Sequence, residues 1–417
     1  VDVSDLSTGE LLACHDCDHL HRYEPIPAGA RADCRYCGAL LYRHVPDSLD
    51  RAIALYLTAL FLFGIANSFP FLSLKLGGRV VENVLVSGGW SMYQLGMGEL
   101  GLLIFLTSIA FPFIVIAGSL YLLIPVRLGV VPRGIGAVYR LVHAVTPWSL
   151  VGVFMLGVLI AIVKLQDLAT VITGTSLYAL AALMLAYSAA RASFDPRAFW
   201  DAVPYRSEPP PADVAGPLLG CRICGLVTAA RRDGRPQRCA RCRSPLHGRK
   251  ADSIARTWAL LASAAILFVP ANVYPVMTVI RFGQGEPNTI LGGILHLIEA
   301  GMWGLALIVF FASIVVPVLK LVVLGWLLWT IQTQSGWRPR DRTLLFRVTE
   351  TVGAWSMVDI FLVGLLSALV NLDALSTIRP GIGATFFAAV VITTMFAAHC
   401  FDPRLIWDNS PRAGAEA

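Results

Sequence analysis

Long apolar runs alternate along the chain with short polar stretches rich in arginine. Eight runs are long enough to cross a bilayer, which takes about 20 residues of helix. They cover residues 52–75, 98–125, 147–166, 174–192, 257–280, 302–331, 353–371 and 382–400. Pro70, Pro112, Pro275 and Pro317 fall inside four of them and predict kinks or re-satisfied backbone breaks. After the first run, residues 77–84 alternate weakly like a strand, and residues 90–95 read as an interfacial helix start. The region from Asn288 to Ile298 repeats that shape. The pattern predicts an all-α polytopic membrane protein with eight transmembrane helices.

Composition agrees. Of 417 residues 56% are hydrophobic and 14% charged, against about 25% charged in an ordinary soluble domain. A soluble fold of this length cannot hide that much apolar surface, which excludes a soluble enzyme. The net charge of +6 comes from arginine, since only four of the 33 basic residues are lysine. With the N-terminus inside, 27 of the 33 lie on one side, so the positive-inside rule places both termini and residues 201–256 in the cytoplasm. The charge is thus an orientation signal, not a nucleic-acid footprint. Residues 1–10 are polar and show no signal-peptide core.

The chain repeats itself. Cys34-Arg35-Tyr36-Cys37 returns 205 positions later as Cys239-Ala240-Arg241-Cys242, and Arg51, Asn67, Pro70 and Pro112 match Arg256, Asn272, Pro275 and Pro317. At an offset of 207, Arg140, Trp148, Ser149, Phe154 and Gly157 match Arg347, Trp355, Ser356, Phe361 and Gly364. Phe194-Asp195-Pro196-Arg197 returns as Phe401-Asp402-Pro403-Arg404. In each copy Asp reads as a helix N-cap and Pro as the first helical residue, with Trp200 and Trp407 expected in the interfacial belt. An even number of spans per copy makes the repeat parallel. The expected organisation is a cysteine module at 1–47, a four-helix unit at 48–200, a proline-rich linker at 201–220, a second module at 221–250, a second four-helix unit at 251–408, and a tail at 409–417.

Eight of nine cysteines form CxxC knuckles: Cys14/Cys17 with Cys34/Cys37, and Cys221/Cys224 with Cys239/Cys242. Two residues between thiolates let one turn place both sulfurs on a tetrahedral ion, and two turns close the site. This spacing predicts two structural Zn²⁺ ribbons, and a reducing cytoplasm favours metal over disulfide. A closed four-thiolate site braces a fold and does not catalyse. His15, His19 and His21 crowd the first knuckle and are expected at its surface, while Cys400 stands alone.

Two charges interrupt apolar runs of the second copy, Lys320 and Asp359. Each alone in hydrocarbon costs at least about 2.5–3.5 kcal/mol, so a partner or water is expected. Ser356, three residues before Asp359, shares its helix face. The first copy carries Val115 and Gly152 at the matching places, so the fold does not require the pair. That points to transport or proton coupling, with a structural ion pair as the rival. Asn67 and Asn272, three residues before their prolines, are expected to satisfy the break. There is no Gly-Lys dipeptide, hence no Walker A loop, and neither GxSxG nor HExxH occurs.

Two four-cysteine ribbons each preceding four spans, the run Trp-Ser-Met-Val-Asp-Ile-Phe at 355–361, and the doubled Phe-Asp-Pro-Arg together resemble the paraquat-inducible protein A family over essentially the whole chain. The resemblance implies a non-enzymatic inner-membrane subunit of a bacterium with two membranes. It would exchange phospholipid or a related hydrophobic molecule with a periplasmic MCE-domain tunnel protein. It also implies a polar pocket holding Lys320 and Asp359, coupling transport to protons. An ion or small-solute transporter and a non-transporting scaffold remain open alternatives.

Overall fold

The computed structural model describes residues 11–76, 79–166, 170–205, 218–230, 237–281, 284–299, 301–369 and 376–409. Most of the linker and the tail expected from the sequence therefore lie outside the described residues. The chain is mostly helical, and seven helices are long and apolar enough to cross a membrane.

Each copy opens with two antiparallel hairpins that form the knuckles. They are β1 (Leu11–Ala13) with β2 (Leu20–Arg22) and β3 (Arg31–Asp33) with β4 (Leu40–Arg43) in the first copy. The second copy has β8 (Leu218–Gly220) with β9 (Val227–Ala229) and β10 (Gln237–Arg238) with β11 (Pro245–Leu246).

The first unit continues with helix α1 (Ser48–Ser68), β5 (Leu72–Leu76), β6 (Arg79–Asn83) and α2 (Leu85–Gln94). A helix of 30 residues follows: α3 (Gly98–Phe105), a π-turn at Leu106–Ala110, and α4 (Phe111–Arg127). Next come α5 (Ile135–Val145), a 3₁₀ turn at Thr146–Trp148, α6 (Val151–Gln166), β7 (Thr170–Thr173), α7 (Thr175–Ser193) and α8 (Pro196–Asp201).

The second unit repeats this order. It comprises α9 (Ser253–Val273), β12 (Met277–Arg281), β13 (Gln284–Asn288), α10 (Ile290–Glu299), α11 (Trp303–Phe310), a π-turn at Phe311–Val315, and α12 (Val316–Gln332). Then follow α13 (Pro339–Gly353), a 3₁₀ turn at Ala354–Met357, α14 (Val358–Leu369), β14 (Ser376–Pro380) and α15 (Ile382–Cys400).

The runs expected at 52–75 and 257–280 are each shorter as helices. Pro70 and Pro275 push the preceding residue into extended geometry (Phe69 φ −111°, ψ 156°; Tyr274 φ −81°, ψ 149°), so both helices stop there. The residues beyond form strands, in the antiparallel sheets β6-β5-β7 and β13-β12-β14. Gly174 and Gly381 close these sheets onto the proline corners: a Cβ on Gly174 would lie 2.1 Å from Pro70 O, and one on Gly381 2.2 Å from Pro275 O. Pro112 and Pro317 instead follow the π-turns, where the wider ring lets the helix continue past a residue without an N–H. The run expected at 174–192 forms helix α7, but its serines, tyrosines and Arg191 keep it outside the seven helices long and apolar enough to cross a membrane.

Asn67 and Asn272 do not serve the carbonyl that the proline frees. Their amides donate to Phe63 O and Phe268 O, both at 2.8 Å, one turn earlier. The freed carbonyl of the first break, Ala66 O, accepts from the hydroxyl of Ser176 on α7.

In each unit the first and last long helices pair, α1 with α7 and α9 with α15, and the units meet where α6 packs against α14. At that seam Phe154 and Phe361 make an edge-to-face contact at 5.4 Å, and a Cβ on Gly157 would come within 3.2 Å of Phe361 Cβ. The seam is not symmetric, because α14 also packs on α2 and α3 of the first unit.

The ribbons cross over. Arg347 of α13 reaches the first ribbon, with Nε 2.5 Å from Asp16 Oδ2 and Nη2 3.3 Å from Cys37 Sγ. Its repeat mate Arg140 of α5 reaches the second ribbon, donating to Cys242 O (3.4 Å) and Ser244 Oγ (3.1 Å). Gly136, one turn earlier, lies so close that a Cβ would sit 2.0 Å from Cys242 O. Each cysteine module thus contacts a helix of the opposite unit.

Candidate functional site

Three features carry chemistry. The first is the pair of cysteine clusters. In both, the four sulfurs lie within 4.8 Å of one another and all are buried. Facing sulfurs are 3.5 Å apart in the first cluster (Cys14–Cys37, Cys17–Cys34) and 3.5 and 3.4 Å apart in the second (Cys221–Cys242, Cys224–Cys239). A tetrahedral ion with M–S of about 2.3 Å would separate its ligands by about 3.8 Å, so the donor sets fit such an ion.

The knuckle turns prepare this arrangement. Cys34 N donates to Ala39 O (2.7 Å) and Gly38 N to Cys34 O (2.8 Å); in the second ribbon Cys239 N donates to Ser244 O (2.8 Å) and Arg243 N to Cys239 O (2.9 Å). Hydrogen bonds shared among the sulfurs pull Cys34 and Cys37 down and push Cys14 and Cys17 up, and in the second cluster they pull Cys239 and Cys242 down and push Cys221 and Cys224 up. A bound metal would need all four as thiolates. His21 was expected at the surface, yet its Nε2 lies 3.2 Å from Cys34 Sγ, and His19 stacks on Tyr36 at 3.8 Å. Both imidazoles brace the knuckle, as second-sphere groups around thiolate sites do.

The second feature is Lys320. It is 2% exposed, on α12 five residues past the end of the π-turn, and its Nζ donates to Gly353 O at 3.0 Å. Gly353 ends α13 where the backbone tightens into the 3₁₀ turn, so the lysine meets its carbonyl at the junction of the two. A cation at a helix C-terminus is also favoured by the helix dipole. Ser356, in that turn, is 1% exposed with no hydrogen-bond partner for its hydroxyl among the described residues. Asp359 belongs to α14, but its side chain lies outside the described residues. Beyond this, toward the sheet end, a small apolar cavity of about 50 Å³ lies between β12, α10, α14 and α15, lined by residues including Val309, Ile360 and Phe387.

The third feature, which sequence reasoning missed, is an arginine–carboxylate network that locks the ribbons. Arg249 binds Asp18 (2.6 Å) and Asp408 (2.5 Å), Arg404 binds Asp18 (3.1 Å), and Arg222 binds the buried Asp402 (2.5 Å). The N-cap roles of Asp195 and Asp402 hold, with Arg197 N and Arg404 N donating at 2.9 and 3.3 Å. The interfacial placement of Trp200 does not: it is 1% exposed, packed on Tyr139 at 5.0 Å. The signal available was the doubled Phe-Asp-Pro-Arg, read as a cap without its long-range partners.

Comparison with known proteins adds to this geometry. The family model described as paraquat-inducible protein A matches residues 49–204 and 254–410, one match per four-helix unit. The chain is 33% identical to the intermembrane transport protein PqiA of Escherichia coli K12 over 413 residues, 97% of each chain. It is 31% identical to the lipophilic envelope-spanning tunnel protein A of the same organism, covering 97% of this chain and 92% of that one. A probable intermembrane transport protein of Haemophilus influenzae is 27% identical over 401 residues. No solved structure gives a significant match.

Proposed function

Starting from the fact that this chain belongs to the paraquat-inducible protein A family, we propose that it is an inner-membrane component that passes phospholipid or a related hydrophobic molecule between the membrane and a periplasmic MCE-domain tunnel protein. The names of its relatives support a role in intermembrane transport, and they are transport proteins rather than enzymes. In this reading the ribbons face the cytoplasm and each holds one Zn²⁺ on Cys14, Cys17, Cys34 and Cys37, or on Cys221, Cys224, Cys239 and Cys242. The closed thiolate sets would supply rigidity, not catalysis.

One observation carries the proposal. A lysine is buried inside an apolar helical unit, with its ammonium on a backbone carbonyl, at a position where the sister unit has Val115. A unit that folds without this charge gains nothing structural from its desolvation cost, so the charge serves passage. Lys320, Asp359 and Ser356 would form the polar step of that passage, with the Lys320 ammonium pairing with Asp359 while that carboxylate is ionised and returning to Gly353 O when Asp359 takes up a proton. The π-turn at Phe311–Val315, two residues before Pro317, gives α12 a place to flex.

The test is transfer of a labelled phospholipid from proteoliposomes to the tunnel protein. Lys320→Met and Asp359→Asn should each reduce transfer to background while leaving insertion and yield unchanged. Undiminished transfer in both variants would refute the coupling role. Flux of ions without lipid transfer would favour the small-solute reading instead.

A further inference from the structure

A cavity of about 480 Å³ lies in the first unit, away from Lys320. That volume falls within the range of small-molecule pockets. It opens at the ribbon end, where β4 meets the ends of α7 and α8, and runs up between α1, α4 and α5. Its inner part is lined by Tyr56, Val115, Leu122 and Thr146. Val115 and Thr146 are the repeat mates of Lys320 and Gly353. Where the second unit has an ammonium reaching a carbonyl, the first has an apolar hollow.

Depth can be read from the helices. Tyr56 is eight residues into α1 and Val115 twelve residues from the end of α4, so the hollow penetrates about 12–18 Å at 1.5 Å per residue. That matches the half-thickness of a hydrocarbon core, about 15 Å.

The mouth has the opposite chemistry. Arg43, Arg191 and Arg197 line it. Asp195 also lines it, but its carboxylate accepts from Arg197 N and Ala198 N, and Arg197 faces Asp201 at 3.5 Å. Arg43 donates to Arg191 O and Phe194 O, and neither Arg43 nor Arg191 has a carboxylate partner among the described residues. An apolar shaft one leaflet deep beneath the Arg43 and Arg191 guanidinium groups, which have no carboxylate partner among the described residues, matches an anionic amphiphile.

We propose that this cavity is a binding site for one anionic phospholipid of the ribbon-side leaflet. An acyl chain lies against Tyr56, Val115 and Leu122, and the phosphodiester sits at Arg43 and Arg191. The site is separate from the passage in the second unit and does not rest on what that unit carries.

The experiment uses the full chain purified from vesicles of equal phosphatidylglycerol and phosphatidylcholine, with retained lipid counted by mass spectrometry. The wild type should retain about one phosphatidylglycerol per chain, and Arg191→Glu, at an exposed position, should lower the preference over phosphatidylcholine about fivefold. Ser119→Trp, which fills the shaft from α4, should reduce total retained lipid; Arg191→Glu reads the headgroup even if that variant folds poorly. An unchanged lipid ratio in Arg191→Glu would overturn the proposal. So would release of the retained lipid by inorganic phosphate alone, which would assign the arginines to a free anion. Because the readout is retention, it is decided independently of any transfer assay.

Discussion

Lys320 and Gly353 constrain each other. A Cβ at position 353 would sit 2.3 Å from Lys320 Cε and 2.5 Å from Nζ, so the lysine occupies the space that glycine leaves. Gly353→Ala should therefore push the ammonium off its carbonyl at a cost of about 1–3 kcal/mol. The expected outcome is a transport defect nearly as deep as that of Lys320→Met, with a lower thermal midpoint than wild type; full activity in Gly353→Ala would show that the Lys320–Gly353 contact is not used. The sequence exposed Lys320 at once, because a charge in an apolar run is conspicuous. It gave no sign of Gly353, one glycine among 36, since close approach between helices leaves no periodic trace. Ser176 was equally hidden: its hydroxyl finds Ala66 O only after α7 has packed on α1.

At the level of elements, the cysteine spacing and the apolar periodicity led directly to the two ribbons and to most of the spans. Helices α5 and α13 were invisible for a physical reason. Both carry arginine on one side and apolar residues on the other, and such segments read as polar loops when only long apolar runs are counted. The strands at residues 72–76 and 277–281 were absorbed into the runs before them, because leucine, valine and isoleucine suit a strand as well as a span. What anchors these elements at the ribbon end is ionic. Burial alone would raise the Asp402 carboxylate, but the N–H of Lys250 and the Arg222 guanidinium outweigh it and hold it below its ordinary 3.8. A depressed folded-state value adds stability at neutral pH that is lost as pH falls through it. Asp402→Asn should lower the melting temperature at pH 7 by a few degrees and remove part of the acid sensitivity below about pH 4. Parallel melting curves of variant and wild type at pH 7 and pH 3.5 would check both signs; identical curves would mean the pair is energetically silent.

Across the whole molecule, the two units share a plan but differ in their interiors, one holding a buried ammonium and the other an apolar shaft. They are joined twice, at the α6–α14 seam and through the crossed ribbons. Metal removal should act on the second joint. With chelator, the Arg347–Asp16 and Arg140–Ser244 contacts lose their rigid bases, and a chain cut within residues 206–217 should then separate into halves on a detergent column. With metal present the same cut chain should stay together; separation regardless of metal would mean the ribbons do not clasp the units. The crossing was not legible beforehand, since Arg140 and Arg347 match each other, as do Cys37 and Cys242. Either ribbon could have paired with either arginine as far as the residues alone reveal.

That ambiguity has a consequence for how such a molecule can be built. A gene encoding only one half would make a subunit whose ribbon finds its arginine on another subunit, so it would be complete only as a twofold dimer with exchanged arms. Fusing two such subunits end to end frees the copies to diverge without disturbing the clasp, and one can acquire a charge in its core while the other stays greasy.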